Sequence, residues 1–219
     1  MKKDAEVILC TGMRGSGKTT CQMELSKGRD RVIVLDPLNS FKAKGFKRVR
    51  SLAEMYRLMK EGWNTGFKIV LSTGASEESC IKIMQQLSRG LFLIQKPYYQ
   101  EKDNRIITLM IDEAHKFFPN RRLTPVEQEP LENIICLGRH YGIEMIAATQ
   151  RTAKMWTEYR GNCSQQYFFM QGDHTDFKAV LSTIGTDYQD QLRSLQPHEY
   201  LHKGPGWKIT QGRNVAKFR

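Results

Sequence analysis

An apolar run, Val7-Ile8-Leu9-Cys10, leads into Gly12-Met13-Arg14-Gly15-Ser16-Gly17-Lys18-Thr19, and a polar stretch of helical character, Thr19 to Lys27, leaves it. No other feature constrains the chain as much. Strand, glycine turn and helix start, in that order, predict a loop that wraps an anion with backbone N–H groups. The helix N-terminus adds roughly half a positive charge at the same place. The spacing assigns Gly12, Arg14, Gly15, Ser16, Gly17, Lys18, Thr19 and Thr20 to binding of ATP. Lys18 has the reach for the β- and γ-phosphates, and the Thr19 hydroxyl is placed for Mg²⁺. The competing reading is a glycine-rich turn that binds nothing, and Gly-Lys-Thr behind a strand speaks against it.

A second half of the site is expected far downstream. Ile106-Ile107-Thr108-Leu109-Met110-Ile111 reads as a parallel strand buried on both faces, and it ends in Asp112-Glu113. Ligands in open α/β sheets sit at the carboxyl ends of the strands, so these acids are expected to face the phosphates. Asp112 is the candidate Mg²⁺ residue and Glu113 the candidate general base for water. Alone, Asp-Glu after an apolar strand is an ordinary strand end; behind a phosphate loop it predicts hydrolysis.

The 219 residues suit one substantial α/β domain, and a hydrophobic share of 40% supports a core. The sequence has no stretch with the apolar length of a membrane span. Met1-Lys2-Lys3 mimics a signal-peptide start, but the apolar run after it is short and belongs to the loop strand. Five scattered cysteines (Cys10, Cys21, Cys80, Cys136, Cys163) read as buried thiols of a reducing compartment, which predicts an intracellular, cytoplasmic protein. The net charge of +11 exceeds what a nucleotide pocket needs and suggests a polyanionic partner, nucleic acid before an acidic membrane surface. Lys42, Lys44, Lys47, Arg48 and Arg50, with Phe41 and Phe46 among them, form the first candidate DNA contact. The second set is Lys208, Arg213, Lys217 and Arg219 of the terminal hairpin. A solvated basic loop is the plainer account of either.

Strands are expected at 7–11, 32–35, 68–72, 107–111, 144–148 and 166–170, and helices at 19–27, 52–60, 77–94 and around 131–139. Strands spaced by helices imply a mostly parallel sheet flanked by helices. Gly28 is expected in the left-handed conformation of a helix C-cap. Pro130 is either a first-turn proline or a kink. A helical stretch over 176–195 should break at Gly185, and 200–217 reads as a basic hairpin around Gly204-Pro205-Gly206. Tyr98 to Arg105 and Pro119 to Pro125 read as mobile loops.

Asp112-Glu113-Ala114-His115 matches a helicase box, but such helicases need a second domain of similar size. Gly138-Arg139-His140-Tyr141-Gly142-Ile143 followed by Ala147-Ala148-Thr149-Gln150-Arg151 is the better guide. Here the sequence resembles the FtsK–HerA superfamily of DNA-pumping ATPases, over about Glu6 to Leu201. Asp36-Pro37, Asn162 and Asp176 are similar to the family pattern, and Gln165 stands where an arginine is common. The resemblance implies a single P-loop NTPase domain of RecA/ASCE type over 1–219, with an α/β core over 1–199 and a hairpin or tail over 200–219. It implies a ring, usually a hexamer, with nucleotide between neighbours. Gln150 would sense the γ-phosphate or the lytic water. Arg139 occupies the position of the arginine donated in trans, Arg151 is the alternative and Arg160 the third choice.

A bare motor domain looks most like the genome-packaging ATPases of tailless, membrane-containing icosahedral viruses. The expected partners are then double-stranded DNA, further copies of the chain, and capsid or portal-vertex proteins, in the host cytoplasm or at a virion vertex. The close rival is the filamentous-phage assembly ATPase related to zonula occludens toxin, which shares the Asp-Glu-Ala, Phe-Pro, Arg-His and Thr-Gln runs and usually continues into a membrane span. A HerA-like translocase is a further alternative. A protein-remodelling ATPase and a small-molecule kinase are other classes, the kinase disfavoured because Glu113 suits water activation.

Overall fold

The computed structural model describes residues 5–214; Met1 to Lys3, and the hairpin cations Lys217 and Arg219, lie outside them. Nine strands form one sheet: β1 (Val7–Thr11), β2 (Arg31–Asp36), β3 (Lys47–Val49), β4 (Phe67–Ser72), β5 (Ile107–Ile111), β6 (Ile143–Thr149), β7 (Gln165–Phe168), β8 (Glu199–Lys203) and β9 (Ile209–Arg213). Their order is β3-β4-β2-β5-β6-β1-β7-β8-β9. The first seven are parallel and the last two antiparallel, as the hairpin predicts. Parallel pairing brings the ends of β1, β2, β5 and β6 to one edge. The register sets Thr11 beside Thr149 and Leu35 beside Ile111.

The helices are α1 (Lys18–Leu25), α2 (Leu52–Glu61), α3 (Glu77–Ile94), α4 (Lys96–Tyr99), α5 (Pro125–Leu137), α6 (Thr157–Asn162), α7 (His174–Ile184) and α8 (Gln189–Ser194). Side chains alternate across each strand, so the sheet sorts its apolar residues to two faces. Val7, Leu9, Ile33, Leu35, Leu109 and Ile111 pack with Met55 and Met59 of α2, Met84 and Leu87 of α3, Ile134 of α5 and Tyr159 of α6. Ile8, Cys10, Val34, Met110 and Ile146 pack instead with Cys21, Met23 and Leu25 of α1 and with Phe41 and Phe46. The second face therefore has a single helix. A third cluster joins Val180, Leu181 and Ile184 of α7 and Leu192 of α8 to Phe168 and Leu201.

Several expectations need correction. The helix expected around 131–139 begins at Pro125 and ends at Leu137. Thr124 accepts from the Glu127 N–H while Glu127 bonds back to the Thr124 backbone, a reciprocal cap that starts the helix a turn and a half earlier. Pro130 thus lies inside it, and its carbonyl accepts from Ser88 at 2.7 Å. Lys47 and Arg48, read as loop, form the edge strand β3. The Tyr98–Arg105 stretch is tied down rather than loose: Tyr98 is buried, Gln95 donates to the Arg105 carbonyl at 2.9 Å, and Arg105 pairs with Asp103 at 2.6 Å. Gly28 does adopt the left-handed conformation (φ 76). Cys10, Cys21 and Cys80 are buried, and all five cysteines are free thiols.

Candidate active site

The loop after β1 is pinned on both flanks, by Gly12 N–H on the Thr149 carbonyl at 3.2 Å and Met13 N–H on the Met170 carbonyl at 2.7 Å. The first turns of the helices draw a contrast. Among the helices of eight residues or more, Ser51, Ser76, Thr124 and Asp173 cap α2, α3, α5 and α7 with side-chain oxygens, whereas α1 starts at Gly17 with no side-chain cap and no acid in its first turn. Unpaired first-turn amides and the positive end of the helix dipole are what an anion needs. Lys18 is buried and its Nζ donates to the Met13 carbonyl at 2.8 Å, which folds the ammonium across the loop. Burial pushes its pKa down, and the nearby Glu113 and Asp112 oppose this. Thr19 is exposed at the helix start. Arg14 and Gly15 are exposed in the loop, Ser16 is buried, and Thr20 is half-buried.

Asp112 and Glu113 reach the same edge from β5. Burial, then the charge of Glu113, raises the Asp112 carboxyl to about 6. Ser40 Oγ lies 3.4 Å from its Oδ2. Glu113 is buried and sits in the left-handed region (φ 49), a costly conformation for a non-glycine residue that concentrates at functional sites. Its Oε1 accepts from Gln150 Nε2, and its Oε2 lies 3.4 Å from His115 Nδ1. His115 Nδ1 is also 2.9 Å from Thr149 Oγ1, and burial lowers the imidazole pKa, keeping the ring neutral at pH 7. Asp112, Glu113, Gln150, Lys18 and Thr19 thus converge at the ends of β5, β6 and β1.

Hard oxygen donors of the Thr19 and Asp112 type, beside a carboxyl cluster that raises the Asp112 pKa, fit Mg²⁺. Among the described residues no group of three or more His, Cys, Asp or Glu is arranged to hold a metal.

The arginines part company. Arg151 Nε pairs with the buried Asp176 at 2.9 Å, and Asp176 also accepts from Ala153 N–H at 2.8 Å. Arg139 is exposed on the 3-10 turn before β6, where its Nε donates to His140 Nε2 at 3.4 Å. That turn lies at the other end of β6, about 20 Å from Thr149 for seven extended residues. Arg160, on α6 before β7, lies at the same far edge with a buried Nε that has no partner.

Lys42, Lys44 and Arg48 line a cavity of about 720 Å³ together with Thr19, Thr20, Met23 and Phe41. Arg48 is committed within the chain, to Asp36 at 2.9 Å and the Phe41 carbonyl at 2.6 Å, whereas Lys47 and Arg50 are exposed.

Sequence reasoning missed three supports. Gln22 donates to the carbonyls of Ile111 and Ile146 at 3.2 and 2.8 Å, tying α1 to the end of β5 and the middle of β6. Its signal was a polar residue four after Lys18 on the buried side of the helix. Asp36 holds Ser40 and Phe41 by their N–H groups, as the Asp36-Pro37 turn hints. His198 N–H and Asn214 Nδ2 clasp the carbonyls of Ser16 and Gly17 at 2.9 and 2.8 Å, and no local pattern announces them.

A parallel sheet with a phosphate loop after an interior strand, and acids ending a strand one removed from it across β6, is the architecture of P-loop NTPases. The profile of the zonular occludens toxin (Zot) family matches residues 6–179, and the chain belongs to that family. Its fold is similar to the genome packaging NTPase B204 from Sulfolobus turreted icosahedral virus 2 in complex with AMPPCP. There the identity is 16%, the coverage 97% of this chain and 99% of that one, and the TM-score 0.70. The DNA-packaging ATPase B204 from Sulfolobus turreted icosahedral virus gives 18%, 99%, 100% and 0.69. VirB4 of Thermoanaerobacter pseudethanolicus gives 13%, 96%, 89% and 0.63. No curated protein matches the chain in sequence. No helix among the described residues is long and apolar enough to cross a membrane.

Proposed function

We propose that this chain is an ATP-hydrolysing motor that moves DNA during assembly of a virus particle. The observation that carries the reading is the uncapped start of α1 facing Lys18, Asp112, Glu113 and Gln150 across one sheet edge. The first-turn amides and Lys18 bind the phosphates, with the ammonium exchanging the Met13 carbonyl for phosphate oxygen. Thr19 and Asp112 would hold Mg²⁺, which would supply positive charge to offset the phosphates. Glu113 takes the proton of the attacking water at a carboxylate oxygen. Gln150, hydrogen-bonded to that carboxylate, orients it and reports on the γ-phosphate. Arg139 cannot reach its own phosphates across the sheet, so it serves a neighbour in a head-to-tail ring, a hexamer by resemblance.

Two forms of the motor are supported by different observations. Likeness over nearly the whole chain to packaging NTPases of icosahedral viruses supports packing of double-stranded DNA into a preformed capsid through a portal vertex. Membership of the Zot family favours the second form, assembly and extrusion of a filamentous particle. The deciding measurement is ATPase rate and DNA binding with and without duplex at several salt concentrations. A packaging motor is stimulated by duplex, and about six phosphate contacts cost roughly 10³-fold in affinity between 50 and 200 mM salt. Hydrolysis indifferent to duplex, with no salt-dependent duplex binding, overturns the packaging form. Replacing Lys42, Lys44, Lys47 and Arg50 with Ala, and sparing Arg48, should flatten the salt slope.

A further inference from the structure

The hairpin β8–β9 is a projecting element rooted on the phosphate loop. Its root is held twice, by His198 N–H on the Ser16 carbonyl at 2.9 Å and by Asn214 Nδ2 on the Gly17 carbonyl at 2.8 Å. The fit is close: a Cβ on Gly17 would meet Asn214 Nδ2 and His198 Nδ1 at 2.9 Å each, in a left-handed conformation (φ 111) that favours glycine. The first strand is braced further by His202, which stacks on Tyr167 of β7 at 4.4 Å and lies 3.1 Å from Gln165 Oε1.

At the tip stands Trp207. It is 71% exposed and holds a left-handed backbone (φ 64), which is uncommon and strained for a bulky side chain. Lys203 Nζ lies 3.6 Å from the centroid of its ring. This cation–π contact orients the indole from one side, and the high exposure leaves the rest of the ring to solvent. Lys208 follows directly. The single acid of the hairpin, Glu199, pairs with Arg213 at 3.1 Å near the root, so the tip carries positive charge without an acidic neighbour.

We propose that the hairpin tip binds unpaired nucleotides of a nucleic acid strand, with Trp207 stacking on a base and Lys203 and Lys208 contacting the flanking phosphates. An exposed aromatic plane between cations is the chemistry of single-strand recognition, because an unpaired base offers both a π-face and adjacent phosphates. A duplex hides its base faces and offers only the phosphates to the same tip. The root lies on Ser16 and Gly17, whereas antiparallel pairing of β8 with β7 carries the tip to the opposite edge of the sheet, so the contact is linked to the nucleotide site through the length of the hairpin. Coupling of the strand to hydrolysis rests on the motor reading; the binding itself does not.

Fluorescence anisotropy of labelled oligo(dT), a blunt duplex of matched length and anionic phosphatidylglycerol vesicles as competitor tests this on the full chain without ATP. The expected result is tighter binding of oligo(dT) than of duplex at equal salt. Trp207→Ala should weaken oligo(dT) about 10-fold or more, as for loss of one stacked base, with Trp207→Phe restoring most of it and duplex binding little changed. Basal ATPase of Trp207→Ala should match wild type, while stimulation by oligo(dT) is lost. Unchanged oligo(dT) affinity in Trp207→Ala overturns the proposal. So does a Trp207-dependent preference for duplex, or vesicle binding that needs Trp207 when oligo(dT) does not. If oligo(dT) binding follows Trp207 but no ATP is hydrolysed, the motor reading fails and the strand contact stands.

Discussion

The two ends of the central strands differ in how their charges are answered. At the phosphate edge the charged and amide side chains are paired inside the chain, Lys18 with Met13, Gln150 with Glu113, Thr149 with His115 and Arg151, and Arg151 with Asp176, while the start of α1 is left uncapped. At the opposite edge Glu144 is buried and answered by Arg29 at 2.6 Å and Thr108 at 2.8 Å, but Arg139 stands exposed, bonded to a histidine and to no acid among the described residues. One edge gathers its side chains around an open helix start, and the other offers a cation with no acid paired to it among the described residues. Residues eleven apart in sequence, Arg139 and Gln150, therefore serve different nucleotide sites in the proposed ring.

That contrast can be broken by substitution. The largest effect is expected at the self-contained edge. Glu113→Gln should retain ATP binding and lose about 10³-fold or more in turnover, since the amide cannot take the proton. Wild-type rates in single-turnover hydrolysis would remove Glu113 from the role of base. At the far edge, Arg139→Ala should keep ATP affinity and lose about 10³-fold in turnover. Mixing Arg139→Ala with Glu113→Gln subunits should restore activity at interfaces that pair an intact Glu113 with an intact Arg139. No recovery in verified mixed rings would mean that the arginine does not act across subunits.

A smaller effect sharpens the distinction between the arginines. Arg151→Ala leaves buried Asp176 with only the Ala153 N–H, and should cost about 2 kcal/mol in urea unfolding, whereas Arg139→Ala should cost almost nothing. Equal costs would erase the difference between a structural and a donated arginine. The mildest test is pH. With Asp112 raised to about 6 by burial and by Glu113, its ionised fraction falls about tenfold between pH 7 and pH 5, and Mg²⁺-dependent ATP affinity should fall with it. The sign for stability is opposite. A carboxyl whose folded pKa lies above its unfolded value binds protons in the folded state first, so this group's penalty is relieved as pH falls through 6. Mg²⁺-dependent affinity that stays flat from pH 7 to pH 5 would show that Asp112 is fully ionised throughout that range.

Much of the edge was legible because its signals are local. Val7–Thr11 and Ile107–Ile111 are continuous apolar runs buried along their whole length, and parallel strands deliver whatever follows them to one side. Glu77–Ile94 kept both its expected ends because Ser76 caps it and its apolar residues repeat at helical spacing. The errors arose where partners are distant or caps were overlooked. Arg48 is exposed as expected, but its pairing with Asp36 could not be read because that partner sits a turn and a loop away. Thr124 and Glu127 spell a helix start that the two prolines, Pro125 and Pro130, disguised. Asn214 reaches Gly17 across almost the full chain, and no spacing rule joins them.

Stiffness is divided unevenly by the covering of the sheet. One face rests on α2, α3, α5 and α6, whose side chains interlock with β2, β5 and β6. The other carries α1, with Phe41 and Phe46 in edge contact at 5.2 Å beside it. A push delivered to the first turn of α1 would meet the Gln22 hydrogen bonds to β5 and β6 and, beyond them, the Phe41–Phe46 loop rather than a second layer of helices. Load from the nucleotide site would therefore pass along α1 into that loop more readily than into a sheet backed on its other face by four helices, the sheet serving as an anvil.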